Sequence, residues 1–187
     1  MLSQALLNWV NDAWAVFVLF LIPIGGGIPA GVLLAKARGI NWWTMEALYF
    51  SSDVVLAFAF EPLTWLFIEA GNRYEPLGRF NRALKQSMTL MVSRYGINPG
   101  PLTLVMISFG VDPMSGRAAA LAAGHGFLTG WLIAITGDMI FFSAIMVSTI
   151  WLNSVLGDGT WAVLLVVLLM TLVPILVRRV RSRLTRT

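Results

Sequence analysis

The 187-residue chain has no cysteine, one histidine and only nine acidic residues, and charged side chains make up 12% of it. The missing cysteine excludes disulfides, thiolate metal sites and a thiol relay for electrons. So little charge excludes an ordinary soluble domain, where about 25% of residues are charged. Long polar stretches are also scarce, which leaves no room for a soluble catalytic domain. No cleavable signal peptide is expected, because no basic residue precedes the first apolar run and that run is too long for an h-region.

What the chain does have is apolar residues, 58% of the total, with a mean hydropathy of +0.79. This composition predicts an integral membrane protein of the all-α polytopic class. At about 20 residues per span plus a connection, about six spans is the ceiling. The formal net charge of +4 is not a nucleic-acid signal, because the basic residues fall in separate clusters at span ends; they report orientation instead. Arg178, Arg179, Arg181, Arg183 and Arg186 place the C-terminus in the cytoplasm, and the expected location is the bacterial inner membrane.

One membrane domain, 1–187, is expected, in two halves (1–71 and 95–187) joined by a cytoplasmic linker helix over 72–94. The linker carries Arg73, Arg79, Arg82, Lys85 and Arg94 against Glu75. Its apolar residues Leu77, Phe80, Leu84, Met88 and Met91 recur at three- and four-residue spacing, the pattern of an amphipathic helix on an anionic leaflet. Residues 1–12, with Trp9 and Trp14 about Asn11-Asp12, suit a short interfacial helix. Glu61-Pro62 reads as a stop for the second span, and Gly137-Asp138 as a boundary before Met139. A two-plus-four arrangement of spans fits the charges, and an inverted three-plus-three repeat suits the internal similarity described below.

Two breaks organise the halves. Ile24-Gly25-Gly26-Gly27-Ile28-Pro29 interrupts the first apolar run, where three glycines each lower helical preference by roughly 1 kcal/mol and Pro29 removes a donor. Asn98-Pro99-Gly100-Pro101 precedes Leu102–Val111, which is only half a span. In hydrocarbon such breaks are tolerated where the freed backbone groups face protein, water or substrate. Gly25, Gly26, Gly27, Pro29, Pro99, Gly100 and Pro101 are therefore expected to form two discontinuous or re-entrant helices around a cavity.

Laying 35–53 over 120–138 matches Ala35 with Ala120, Ala37 with Ala122, Gly39 with Gly124, Thr44 with Thr129 and Asp53 with Asp138. A charge near mid-membrane costs at least about 2.5–3.5 kcal/mol on insertion scales. Two aspartates at equivalent places thus imply a shared polar interior, and weak internal symmetry is what transporter repeats predict. Glu46 lies seven residues before Asp53, on the same helical face. Glu46, Asp53, Asp138 and His125 are the candidate substrate or ion pathway. Each has a plainer reading: Glu46 as an interfacial carboxylate near Trp42 and Trp43, Asp138 as a helix cap in a turn, His125 as a packing histidine inside a span. Metal coordination by His125 with carboxylates is a further alternative, but neither a metal nor a cofactor is expected. Arg117 reads as a loop charge in preference to an anion-binding group.

Gly26-Gly27-Ile28-Pro29-Ala30-Gly31 in the first broken helix, Tyr95-Gly96 after the basic helix, and the second Pro/Gly break together resemble the small multidrug export proteins, a family close to the DedA/VTT membrane proteins. Where that family carries acidic and arginine residues before its Gly-Ile-Pro turn, this chain has Pro23-Ile24-Gly25. Asn98-Pro99-Gly100-Pro101, Gly116-Arg117-Ala118 and Gly124-His125-Gly126 also look like parts of lysine-exporter-type transporters. Both resemblances imply a small exporter built on inverted repeats with re-entrant helices.

The expected function is a small secondary transporter, proton- or cation-coupled, with Asp53 and Asp138 carrying the coupling charge; substrate and proton can compete for a desolvated carboxylate. The alternatives are a non-transporting subunit of a larger membrane complex and a phospholipid scramblase. An enzyme is not expected: Ser51-Ser52-Asp53 and Thr136-Gly137-Asp138 do not match the motifs of intramembrane aspartyl proteases. Partners are the lipid bilayer and either further copies of the chain or other membrane subunits.

Overall fold

A computed structural model describes residues 2–22, 27–93, 100–109 and 113–184. The described residues form helices and no strand: α1 (Leu2–Leu21), α2 (Gly27–Ala37), α3 (Trp42–Arg73), α4 (Glu75–Ser93), α5 (Pro101–Ser108), α6 (Pro113–Ala122), α7 (Phe127–Leu156) and α8 (Gly159–Leu184). Among them α7, 30 residues long, is the one helix long and apolar enough to cross a bilayer; Leu7–Leu21, Gly27–Ala37 and Gly159–Leu172 are shorter apolar stretches.

α1 ends at Leu21 and α2 begins at Gly27; Gly25 and Gly26, where the sequence puts the first break, lie outside the described residues. A Cβ on Gly27 would come 2.7 and 2.8 Å from the carbonyl oxygens of Leu19 and Ile22, so the chain doubles back too tightly for any side chain there. Pro29 stands in the first turn of α2, where its missing N–H breaks no helical bond. At the second break Gly100 caps α5 and Pro101 takes its first position, while Pro99 lies outside the described residues. The linker is helical, as α4.

Four local expectations are corrected. The N-terminal helix does not stop at Asp12 but runs into the apolar stretch as α1. Glu61-Pro62 does not end its helix: α3 passes through Pro62 to Arg73. Gly137-Asp138 lies in the middle of α7, so Asp138 is not a cap. His125 is not inside a span; it occupies the turn between α6 and α7.

The chain divides into two compact units, Met1–Met45 with Ser143–Thr187, and Glu46–Phe142. In the first, α1 packs on α2 and α2 on α8. Phe20 lies under Gly31, whose missing Cβ would meet the ring at 2.5 Å, and an Arg38–Asp12 ion pair ties the end of α2 to the middle of α1. In the second, α6 packs on α4 and α5, and Leu104, Ala119 and Ile133 form one apolar cluster.

The internal similarity extends to the backbone. Gly39 and Gly124 both take left-handed conformations, with φ of 69° and 88°. Gly39 N–H donates to Lys36 O at 3.1 Å and Ile40 N–H to Ala35 O at 2.9 Å; Gly124 donates to Leu121 O at 3.0 Å and His125 to Ala120 O at 3.0 Å. These are two copies of one Schellman-type cap. After each cap the next long helix begins at the equivalent residue, Trp42 or Phe127, and Asp53 and Asp138 are the twelfth residues of α3 and α7. Gly31 and Gly116 are also equivalent, and each admits a side chain of the preceding helix, Phe20 or Ser108. A Cβ on Gly39 or Gly124 would meet no atom within 4 Å, so alanine at either position should cost only backbone strain, about 1–2 kcal/mol. Thermal unfolding in detergent should show the two variants equally destabilised; an unperturbed Gly124→Ala variant would refute the shared cap.

Candidate functional site

Tyr49, Asp53, Ala57 and Glu61 follow one another at four-residue steps along α3. Four residues is one turn, so they form a slowly drifting stripe on one side of the helix. Their contacts on α7 descend as they ascend: Tyr49 stacks on Phe142, with centroids 4.0 Å apart. Tyr49 also bonds Asp138, Ala57 packs with Trp131, Ala134 and Ile135, and Glu61 bonds Trp131. Over this stretch α3 and α7 are therefore antiparallel, and the equivalent residues Asp53 and Asp138 meet each other.

At that crossing the two carboxyls are close neighbours. The Tyr49 hydroxyl donates to Asp138 Oδ2 at 2.7 Å. Asp53 is 1% and Asp138 2% exposed, and Asp53 Oδ2 is buried with no hydrogen-bond partner. Two carboxylates brought together away from water oppose each other's ionisation. A buried acceptor without a partner costs about 1–3 kcal/mol. Ser52, also buried, spends its hydroxyl on Tyr49 O at 2.7 Å.

Eight residues further along α3 lies a second charged cluster. Arg117 donates from Nε to Glu61 Oε2 at 3.2 Å and from Nη2 to Glu61 Oε1 at 2.9 Å. Trp131 Nε1–H donates to Glu61 Oε2 at 2.8 Å. These contacts hold Glu61 in helical geometry although the following proline disfavours it, which is why α3 does not end there. Arg117 lies across Gly130, whose Cβ would sit 2.8 Å from Nη1. The alignment that pairs Asp53 with Asp138 pairs Arg117 with Val32 and Glu61 with Met146, both buried and apolar. The aligned segments thus share an aspartate, whereas the ion pair, which takes Glu61 from one and Arg117 from the other, is matched by two apolar residues.

Small residues let these elements approach. Gly116 admits the Ser108 hydroxyl, Gly137 faces Ser108 Cβ and Val105 O, and Ala134 Cβ would be 3.2 Å from a Cβ on Gly116. Such small-residue contacts characterise helix packing in membranes.

Of the predicted pathway residues, Asp53 and Asp138 are brought together. Glu46 is half-buried on α3, two turns before Asp53. His125 lies in the turn before α7, whose first residue is about 16 Å along the helix from Asp138. Arg117 is corrected from a loop charge to a buried member of an ion pair. Tyr49, Glu61 and Trp131 escaped the sequence reading; the stripe formed with Asp53 was the available signal for the first two. No group of three or more His, Cys, Asp or Glu that suits a metal ion occurs among the described residues.

Compared with protein-family models, curated proteins and solved structures, the chain matches none of them. The all-α class follows from the helices alone.

Proposed function

We propose that the protein is a small secondary transporter, proton- or cation-coupled, with about six spans in a bacterial inner membrane, and that the Asp53–Asp138 pair is its coupling site. The observation that carries this reading is the pair itself: two buried carboxyls, one with an oxygen left unpartnered, on equivalent helices of an internal duplication. Carboxyls in apolar surroundings are expensive, and in membrane proteins they mark ion and substrate paths. The antiparallel crossing of the duplicated helices supports the inverted three-plus-three arrangement over two-plus-four, and the helix breaks before α2 and α5 support a midplane site.

Flux in proteoliposomes with an internal pH dye tests it, with metal cations, amino acids, lipophilic cations and labelled phospholipids as challenges. Wild type should give a substrate-dependent signal, and Asp53→Asn should abolish coupled movement while the protein stays folded by circular dichroism. Coupled flux retained in Asp53→Asn would remove the pair from the mechanism. Movement of phospholipid alone would favour scrambling, and silence across the panel would favour a subunit of a larger complex.

A further inference from the structure

We propose that the Asp53–Asp138 pair holds a single exchangeable proton in place of a metal cation, that Asp53 is the carboxyl which releases and rebinds it, and that Tyr49 is a positioning residue. As a statement about the coupling ion this rests on the transport reading; as a statement about what the pair holds it stands by itself.

The argument starts from the oxygens. A hard cation such as Na⁺, Mg²⁺ or Ca²⁺ replaces its hydration with about six oxygen ligands. Among the described residues the contact shows two carboxyls and one phenol, and within about one helical turn of the aspartates lie Leu56, Ala57, Ala134, Ile135 and Phe142, all buried and apolar. The Ser52 hydroxyl is turned onto Tyr49 O. A proton needs one lone pair, which the Asp53 oxygen turned to Asp138 supplies; the other oxygen, Oδ2, has no partner.

The asymmetry of the pair decides which carboxyl exchanges. Asp138 Oδ2 already accepts the Tyr49 hydroxyl, a bond that favours its ionised form. Asp53 has an oxygen that accepts nothing, so the shared proton rests on Asp53, and releasing it is what a substrate or a conformational change must promote. The titratable groups that face Asp53 are Asp138 on α7 and Tyr49 on its own helix. Glu61 and Arg117 are bound to each other two turns away. Phe142 lies flat on Tyr49, which fixes the phenol toward Asp138.

Infrared difference spectroscopy of the full chain in nanodiscs reads the proton directly. Wild type at neutral pH should show a carboxylic-acid C=O band that shifts in D₂O, and titration with Na⁺, K⁺, Mg²⁺ or Mn²⁺ at constant pH should leave it unchanged. Asp53→Asn should lose the band. Tyr49→Phe should keep it and move its titration midpoint, a readout that a purely structural tyrosine would leave alone. Loss of the wild-type band on adding any of these cations would overturn the proposal without recourse to a variant. So would a band that survives in Asp53→Asn and vanishes in Asp138→Asn. A band that behaves as expected in a protein without flux in liposomes would sustain the proton assignment and reject the transport reading.

Discussion

Replacing Arg117 by alanine should destabilise the protein by about 3–5 kcal/mol, the cost of leaving one partner of a buried ion pair uncompensated. Arg117 is buried and Glu61 nearly so, with side chains 6% and 14% exposed, and Glu61 also holds Trp131. Truncating the arginine would leave a carboxylate with one indole N–H for company and would open a cavity against Gly130. The alignment suggests the remedy, because Val32 and Met146, its counterparts of Arg117 and Glu61, are buried and apolar. The double substitution Glu61→Met with Arg117→Val should therefore recover most of the loss, falling short by about 1–3 kcal/mol for the indole left without an acceptor. Thermal unfolding of both single variants and the double variant in one detergent gives the coupling between the two positions. A loss below 1 kcal/mol in Arg117→Ala would mean that the pair is not buried as described.

The all-α class and the equivalence of Asp53 with Asp138 are legible in the sequence, because apolar periodicity and a charge in apolar surroundings act through local or solvation energies. Their consequences across the fold were less so. Pro62 reads as a stop because a proline ends a helix in isolation; α3 continues because Glu61 is anchored by groups 56 and 70 residues away, which no local rule contains. Asp138 was open to reading as a cap because Gly137 precedes it, yet that glycine serves packing against α5. Arg117 was assigned to a loop although Gly116 and Ala118–Ala120 around it form a small-residue run suited to close helix contact. The antiparallel crossing that brings equivalent residues face to face is a property of tertiary pairing, and the sequence offered only the equivalence.

Gly137 is where packing and site are most tightly linked, and enlarging it should have the second large effect. A Cβ there would lie 2.5 Å from Ser108 Cβ, 2.7 Å from Val105 O and 3.0 Å from Ser108 C. Two of these atoms are backbone, so α5 as a whole would have to move. Overpacking of this kind costs about 1–3 kcal/mol, and Gly137→Leu should reach the top of that range or fail to accumulate as folded protein. Gly126→Ala is the matched control, since nothing stands within 4 Å of the added atom. Ser108→Ala separates the contributions: it removes a buried hydroxyl that has no hydrogen-bond partner and should be neutral or stabilising, yet it should not rescue Gly137→Ala, because Cβ and the carbonyl of Val105 remain. Rescue by Ser108→Ala would show that the hydroxyl, and not the backbone of α5, limits the approach. Because Asp138 follows Gly137 directly, the displacement should reach the carboxyl pair, and the infrared band of Gly137→Ala should shift while that of Gly126→Ala stays in place.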